Sequence, residues 1–389
     1  MKRFAPPYRV AVFTGSRAEF GLLQYVMQAL RDDPAFELQV VAGGMHLSPV
    51  FGDTVREIEA SGFEVRERVE MLVPSDTPLA KAQSVARGTH NLADALNRLA
   101  PDITLCMGDR FELLSLAGVA TTMNLALAHV SGGEITEGAV DDNIRHAMTK
   151  VSHLHCVAND CFAARILQMG EEPWRVLVSG EPGLDAIYRV DFLTREALEA
   201  DLRTPLGRNT ALVTFHPTTR ELDDLDSQIE EFVSALGATD LRFIMTAPNA
   251  DAGGLRILAA LQAFTAAHPD RATFVPSLGH RRYLSLLKIV GLVIGNSSSG
   301  LVEAPSFNVP VVNIGTRQAG RPQAANVFQT GYSRSSIADG IARARAYAGP
   351  PPVNPFGDGH ASARIHEFLR RVLETKTRDE VLRKKFVTR

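Results

Sequence analysis

At 389 residues the chain exceeds what one ordinary hydrophobic core holds, so two domains are expected. Hydrophobic residues at 45% and charged residues at 22% match a soluble globular protein and exclude a disordered or fibrous one. A net charge of −3 without a long Lys/Arg block excludes a nucleic-acid face, and no apolar run is long enough to span a bilayer.

The one basic cluster, Arg383 to Lys385, reads as part of a solvated terminal helix. Cys106, Cys156 and Cys161 cannot all pair and show no Cys-x-x-Cys spacing, which points to reduced, mostly buried thiols in a cytoplasmic protein. The start, "MKRFAPPYRVAVF", is basic but lacks a long apolar region and a small-residue cleavage site, so no signal peptide is expected.

In chain order, short apolar runs alternate with longer helical patterns. Strands are predicted at 9–14, 38–42, 103–107, 126–130, 155–158 and 176–178. Helices are predicted at 20–31, 55–61, 79–99, 111–123, 143–150 and 162–169. The strands are runs of Val, Ile, Leu and Ala rather than clean alternation, as expected where both faces are buried in a parallel sheet. A helical connector at 181–203 interrupts the rhythm. Strands resume at 211–215, 242–246, 272–275, 292–294 and 311–314, with helices at 222–236, 255–267, 282–288, 301–307 and 335–348. "GPPPVNP" (349–355) ends that series before a terminal helix in "FGDGHASARIHEFLRRVLE". The fold class is therefore α/β, with two doubly wound, Rossmann-like domains. Their expected bounds are 1–182 and 183–360, with 361–389 forming a helix that packs back on the first.

Sheets of this kind bind ligands outside the carboxyl ends of their strands, and those places hold most of the chemistry-bearing residues. "TGSRAEFG" puts Arg17 at a helix N-terminus, and "GDRFE" puts Asp109 and Arg110 at a strand end. "SGGEITEGAVDDNIRH" carries Glu134, Glu137, Asp141, Asp142, Arg145 and His146. In the second half, "FHPTTRE" carries His216, "APNADAGG" carries Asn249 and Asp251, and "NIGTRQAGR" carries Arg317 and Arg321. "VGLVIGNSSSGLVEAP" (290–305) passes from an apolar run through an asparagine and three serines into another apolar segment. That suits an anion held by backbone N–H groups and hydroxyls, or equally a tight turn with serine N-caps.

Each place has a plainer reading: a turn with a surface arginine at "GDR", Asp141 and Asp142 capping a helix that begins near Asn143, His216 as a core histidine. Together they are coherent, because arginines and serines suit a phosphorylated ligand and carboxylates suit proton transfer. No metal-ligand spacing, dinucleotide fingerprint, phosphate-loop lysine or nucleophile elbow is present, so no metal or organic cofactor is expected. The residues alone reach an enzyme acting on a phosphorylated, nucleotide-linked compound.

The motifs in order go further. "TGSRAEFG", "GMHLSPVFGDT", "GDRFE", "GGEITEGAVDDNIRHAMTK", "HPTT", "NADAG", "GNSSSGLVEAPS", "NIGTRQAGR" and "GDGHAS" resemble the hydrolysing UDP-N-acetylglucosamine 2-epimerases over about Val10 to Phe368. The resemblance implies the two-domain GT-B architecture with a nucleotide diphosphate in the cleft between domains. It implies conversion of UDP-N-acetylglucosamine and water to N-acetylmannosamine and UDP through a 2-acetamidoglycal, for nonulosonic (sialic) acid synthesis. The same reaction on the 2,4-diacetamido-6-deoxy sugar of the legionaminic acid route is the alternative. A glycosyltransferase or a non-catalytic nucleotide-sugar sensor are lesser ones.

On matching positions the resemblance implies Asp109, Glu134, Asp141 and His216 as catalytic. It implies Arg17, Ser297, Ser298, Gly300, Glu303, Arg317 and Arg321 at the nucleotide, with Glu303 on the ribose. Arg110, Asp142, Arg145 and Asn249 would face the sugar. The chain departs from the pattern at Ser131, where many relatives carry glutamate; Glu134 or a water held by Ser131 would take over. A homodimer or homotetramer is expected, with a UDP-sugar as the only other partner.

Overall fold

The computed structural model describes residues 3–49, 52–75, 77–135, 140–218, 221–248 and 253–388. It divides into two compact units, Met1–Ala186 with Gly357–Arg389, and Ile187–Phe356. The first unit holds β1 (Tyr8–Thr14), β2 (Phe36–Gly43), β3 (Val65–Val69), β4 (Ile103–Met107), β5 (Leu127–Val130), β6 (Leu154–Val157) and β7 (Val176–Val178). They form one parallel sheet in the order β3-β2-β1-β4-β5-β6-β7. The second unit holds β8 (Thr210–Thr214), β9 (Arg242–Thr246), β10 (Ala272–Val275), β11 (Leu292–Gly295), β12 (Val311–Ile314) and β13 (Val327–Thr330). Their order, β10-β9-β8-β11-β12-β13, is also parallel throughout. In both sheets the order reverses beside the first strand, the place where doubly wound sheets open a crevice at their carboxyl ends.

Burial explains why the apolar runs became strands. Val10, Val12, Val40, Ile103 and Leu105 are closed off between helices on both faces, so nothing polar needs to alternate with them. Two edge strands escaped the prediction, β3 ("VRERV") and β13 ("VFQT"), because charged or amide side chains interrupt them on their open side. Among the helices, Val140–Val151 starts earlier than expected, so Asp141 and Asp142 lie inside its first turn. The predicted helix at 301–307 is two short pieces, Ser299–Val302 and the 3-10 turn Ala304–Phe307, divided just before Pro305. Among the described residues no helix is long and apolar enough to cross a membrane.

The helix Ala361–Thr375 returns to the first unit, as expected. Its apolar stripe of Ile365, Phe368, Leu369, Val372 and Leu373 joins the core formed by Leu23, Val26 and Leu30 of the helix Arg17–Arg31. The buried Asp185 carboxylate fixes where it begins, accepting from the N–H of Ala361 at 2.9 Å and of Ser362 at 2.7 Å.

The basic cluster at the C-terminus is not a solvated helix. The last helix ends at Leu382, and Lys384 reaches inward to Glu171, with Nζ 2.8 Å from the carboxylate and 2.6 Å from the Ser152 carbonyl oxygen. Glu171 has no exposed side-chain surface and so needs cationic partners. Burial alone would raise its carboxyl, but bonds from His155, Lys150 and Lys384 bring it down to about 2. Cys106 and Cys156 are buried and Cys161 is exposed.

Asp185→Ala should leave two buried N–H groups without their acceptor and lower stability by about 1–3 kcal/mol. Urea unfolding checks it; an unchanged midpoint would mean that the returning helix starts without this carboxylate.

Candidate active site

In the first unit the charged side chains gather at the carboxyl ends of β1, β2, β4 and β5. β4 is buried along its length and ends at Gly108, whose φ of +82° turns the chain toward Asp109 and Arg110. The Gly108 N–H donates to the Val130 carbonyl at 3.1 Å, and His129 Nε2 donates to the Gly108 carbonyl at 2.7 Å. Burial pushes the His129 imidazole down to about 4, so it is neutral at pH 7.

The helix Val140–Val151 presents Arg145, whose side chain is only 5% exposed. Arg145 Nη2 donates to Asp109 Oδ2, and its Nη1 lies 3.8 Å from Asp142 Oδ1. His146 Nε2 is 3.4 Å from the other Asp142 oxygen. One turn of helix and one strand end thus bring Asp109, Asp142 and Arg145 together. Asp141 belongs to the same group through its field at Arg110. Burial works against the Arg110 charge, but Glu112, Glu19 and Asp141 outweigh it and raise the pKa of the guanidinium.

Arg110 Nη2 donates to Glu112 Oε1 at 2.7 Å, and Glu112 itself is buried. Behind it the N–H of Gly15 donates to Glu19 Oε2 at 2.7 Å. Gly44, at φ +54°, passes so close that a Cβ would lie 2.7 Å from the Gly15 carbonyl oxygen. His46 is buried between Thr14 Oγ1 at 3.0 Å and Thr54 Oγ1 at 2.8 Å, and burial pushes it down to about 4. Beside this cluster lies a cavity of about 660 Å³, walled mostly by apolar side chains including Met45, Leu47, Met71, Leu72 and Phe111, with Arg110 in its lining.

Other predicted positions stand apart. Arg17 is exposed, 3.8 Å from Glu57 on the surface. Glu134 is buried just past Gly133, which adopts φ +76°. Ser131 takes a left-handed backbone, φ +61°, and its Oγ donates to Glu181 at 2.9 and 3.2 Å.

In the second unit one amide organises the loops. Asn296 Oδ1 accepts from the His216 N–H at 2.7 Å, and Asn296 Nδ2 donates to the His216 carbonyl at 2.8 Å. Its backbone carbonyl accepts from Arg317 Nη1 at 3.2 Å and Gln318 Nε2 at 2.9 Å. The preceding Gly295 has φ +139°, and a Cβ there would collide with the Thr214 carbonyl oxygen. The strand end of β8, the serine turn and the Arg317 loop are therefore tied at one residue.

Ser298 is exposed and Ser297 half-buried at the turn. Gly300 faces β12, where a Cβ would approach Val311 to 2.9 Å, which is a packing position. Glu303 Oε2 is buried with no hydrogen-bond partner among the described residues, and burial raises its carboxyl. Arg321 Nη1 donates to Gln318 Oε1 at 3.2 Å. Asn249, together with Glu137 and Asp251, lies outside the described residues.

A family model described as UDP-N-acetylglucosamine 2-epimerase matches residues 28–370. The GDP/UDP-N,N'-diacetylbacillosamine 2-epimerase (hydrolyzing) of Campylobacter jejuni is 36% identical over 83% of this chain and 84% of its own. The chain belongs to the hydrolysing UDP-N-acetylglucosamine 2-epimerase family. A second relative, the UDP-N,N'-diacetylbacillosamine 2-epimerase (hydrolyzing) of Legionella pneumophila, is 32% identical over 94% of this chain and 96% of its own. The S. aureus MnaA–UDP co-structure superposes with a TM-score of 0.75 at 19% identity, covering 100% of both chains. That likeness bears on the fold alone, two Rossmann-like domains of the GT-B type.

Sequence reading passed over several residues of this epimerase-family chain. Glu19, His46 and Glu112 stand inside the quoted motifs, and Asn296 reads there only as part of a serine-rich turn. Their signal was position after a strand.

Glu19 makes a pH prediction. Burial is the main cause that lifts its carboxyl from 4.5 to about 7, against the pull of Arg110 and the Gly15 N–H. The stability gained from the neutral form is complete below the unfolded value of 4.5 and is lost as pH rises through about 7. Glu19→Gln should therefore gain on wild type between pH 4.5 and 8, by on the order of 3 kcal/mol. Urea unfolding at both pH values measures it, and a constant difference would rule out the buried neutral acid.

Proposed function

We propose that this chain hydrolyses a UDP-linked 2-acetamido sugar with inversion at C2, releasing UDP and the free manno-configured sugar. The observation that carries the reading is the buried Arg145 holding Asp109 at the end of β4, in a chain matched by the epimerase family over most of its length.

The chemistry sets the roles. The C2 proton is not beside a carbonyl and is barely acidic, so breaking the anomeric C–O bond must run with or ahead of its removal. Stabilising the departing diphosphate is then the largest task, and pre-aimed donors do it best. We assign Ser297, Ser298, His216, Arg317 and Arg321 to the UDP phosphates, with Arg17 as a surface cation. Glu303 is assigned to the ribose hydroxyls, which would give its buried oxygen partners. Gly300 lets the turn pack on β12. Asp109, Asp141 and Glu134 are the catalytic carboxylates, of which Asp109 takes the C2 proton, with Arg110, Asp142, Arg145 and Asn249 on the sugar side.

Of the two sugars left open by the sequence, we favour the 2,4-diacetamido-2,4,6-trideoxy form. Two relatives more than 30% identical to the chain carry that substrate in their names. The largely apolar cavity beside Arg110 also suits a methyl at C6 and a second acetamido group. The released sugar would serve nonulosonic acid synthesis of the legionaminic type.

Incubation with UDP-N,N'-diacetylbacillosamine or UDP-N-acetylglucosamine, followed by NMR, tests this. The expected products are UDP and a free manno sugar, faster from the diacetamido substrate. A product still linked to UDP, or no release, contradicts the reading; a preference for UDP-N-acetylglucosamine contradicts only the substrate assignment. Asp109→Asn should cut kcat by at least about 100-fold while calorimetric UDP affinity stays within about 2-fold. Ser298→Ala should do the reverse, weakening UDP by roughly 10-fold. Loss of UDP binding in a folded Asp109→Asn protein would remove Asp109 from the chemical step.

A further inference from the structure

Inversion at C2 sets a requirement that one carboxylate does not meet. A group that took the C2 proton and returned it to the same face would restore the starting configuration. Two proton-handling groups are needed, one for each face of the flat C1=C2 intermediate.

The carboxyl end of the first sheet holds a second arrangement besides Asp109. Gly108 and Val130 are hydrogen-bonded across β4 and β5, and the next residues in the chain are Asp109 and Ser131. These two therefore leave adjacent strands, whose spacing in a sheet is roughly 4.8 Å. Ser131 sits in the left-handed region, φ +61°, a conformation uncommon for a non-glycine residue. Its N–H is held by the Cys156 carbonyl at 2.9 Å, and its hydroxyl is aimed at both oxygens of the buried Glu181.

Glu181 is held as firmly as Ser131. It follows β7, where the N–H groups of Ser179 and Gly180 both donate to the Val157 carbonyl, at 2.8 and 3.3 Å. The Ser179 carbonyl accepts from Arg364 of the returning helix at 3.1 Å. Gly357 packs so closely that a Cβ on it would lie 2.8 Å from Gly180 Cα. Just beyond, Asp185 anchors the start of that helix. The C-terminal segment thus clamps the short loop that carries Glu181 on both sides.

We propose that Glu181, working through the Ser131 hydroxyl, supplies the proton that C2 receives when the glycal is hydrated. The proposal rests on the function proposed above. In the elimination, the C2–H electron pair becomes the C1=C2 bond, the proton passes to Asp109, and the C1–O pair leaves with UDP. In the hydration, protonated Glu181 reverses its hydrogen bond with Ser131 and donates its proton to Ser131 Oγ, while the Ser131 hydroxyl proton turns to C2 and bonds there with the double-bond electrons. Water oxygen bonds to C1, and the proton that water sheds restores Glu181. Asp109 gives its proton to solvent, which balances the charge on the departed UDP.

The Ser131–Glu181 bond could instead be only a tie between loops, and Glu181→Gln separates the two roles. The amide oxygen still accepts from Ser131 but carries no acidic proton. With wild type, Glu181→Gln and Ser131→Ala, we would follow UDP release and sugar formation separately by NMR, and also supply the 2-acetamidoglycal with UDP. Expected is an unchanged melting temperature for Glu181→Gln, free-sugar formation reduced by at least about 100-fold, and glycal accumulating as UDP is released. Ser131→Ala should show the same pattern with a smaller loss, and it remains decisive if Glu181→Gln does not fold. Free sugar formed at the wild-type rate by the folded variants overturns the proposal and leaves the function reading intact. Equal loss of both half-reactions also overturns it, since that marks a structural tie. A wild-type protein that releases no UDP overturns the function reading instead.

Discussion

The Arg145 guanidinium, almost closed off from water, meets Asp109 at the end of the first sheet's fourth strand. Withdrawing such a charge from water costs several kcal/mol, so neither partner turns away without stranding the other. That constraint fixes the direction of the Asp109 side chain before any ligand arrives. The same logic repeats one residue along, where Arg110 is held by buried Glu112, with Glu19 behind it. In the second unit a neutral amide does the comparable work: Asn296 joins the His216 backbone to the Arg317 loop. Charge orders the residues assigned to the sugar, and the hydrogen bonds of one amide residue order those assigned to the nucleotide.

The first unit is also closed by residues far away in the chain. The helix Ala361–Thr375 completes its core, and Asp185 and Arg364 bind that helix to the loop after β7. Buried Arg175 donates to the carbonyls of Val381 and Glu380 at 2.7 and 2.9 Å, and Lys384 plugs the Glu171 pocket. The C-terminal segment therefore braces the last strands of this sheet at both ends, through Asp185 and Arg364 at the loop after β7 and through Arg175 and Lys384 at the amino ends of β6 and β7. A rigid surround of this kind is what holds reacting groups in place to within fractions of an ångström.

Much of this was legible from sequence because parallel strands buried on both faces leave unbroken apolar runs, and because ligands collect at strand carboxyl ends. Those two rules located β1, β4, β8 and β11 and put Asp109, His216 and the serine turn where the structure has them. They did not reveal β3 and β13, whose open edges carry polar residues. Nor did they reveal long-range pairs. Lys384 looked like solvated charge because its partner, Glu171, is more than two hundred residues earlier. Glu181 looked like the start of a connector, since spacing along the chain does not tell which carboxylate reaches Ser131. The missing glutamate at 131 was visible; the carboxylate beside it was not.

All of the proposed chemistry reduces to one event, removal and replacement of the hydrogen at C2 in the course of losing UDP. Turnover of the UDP-sugar in heavy water, with NMR of the released sugar, examines that event directly. The account predicts one deuterium at C2 of a manno-configured product. Ordinary hydrogen at C2 with the original configuration would mean simple cleavage of the sugar–phosphate bond and would contradict it.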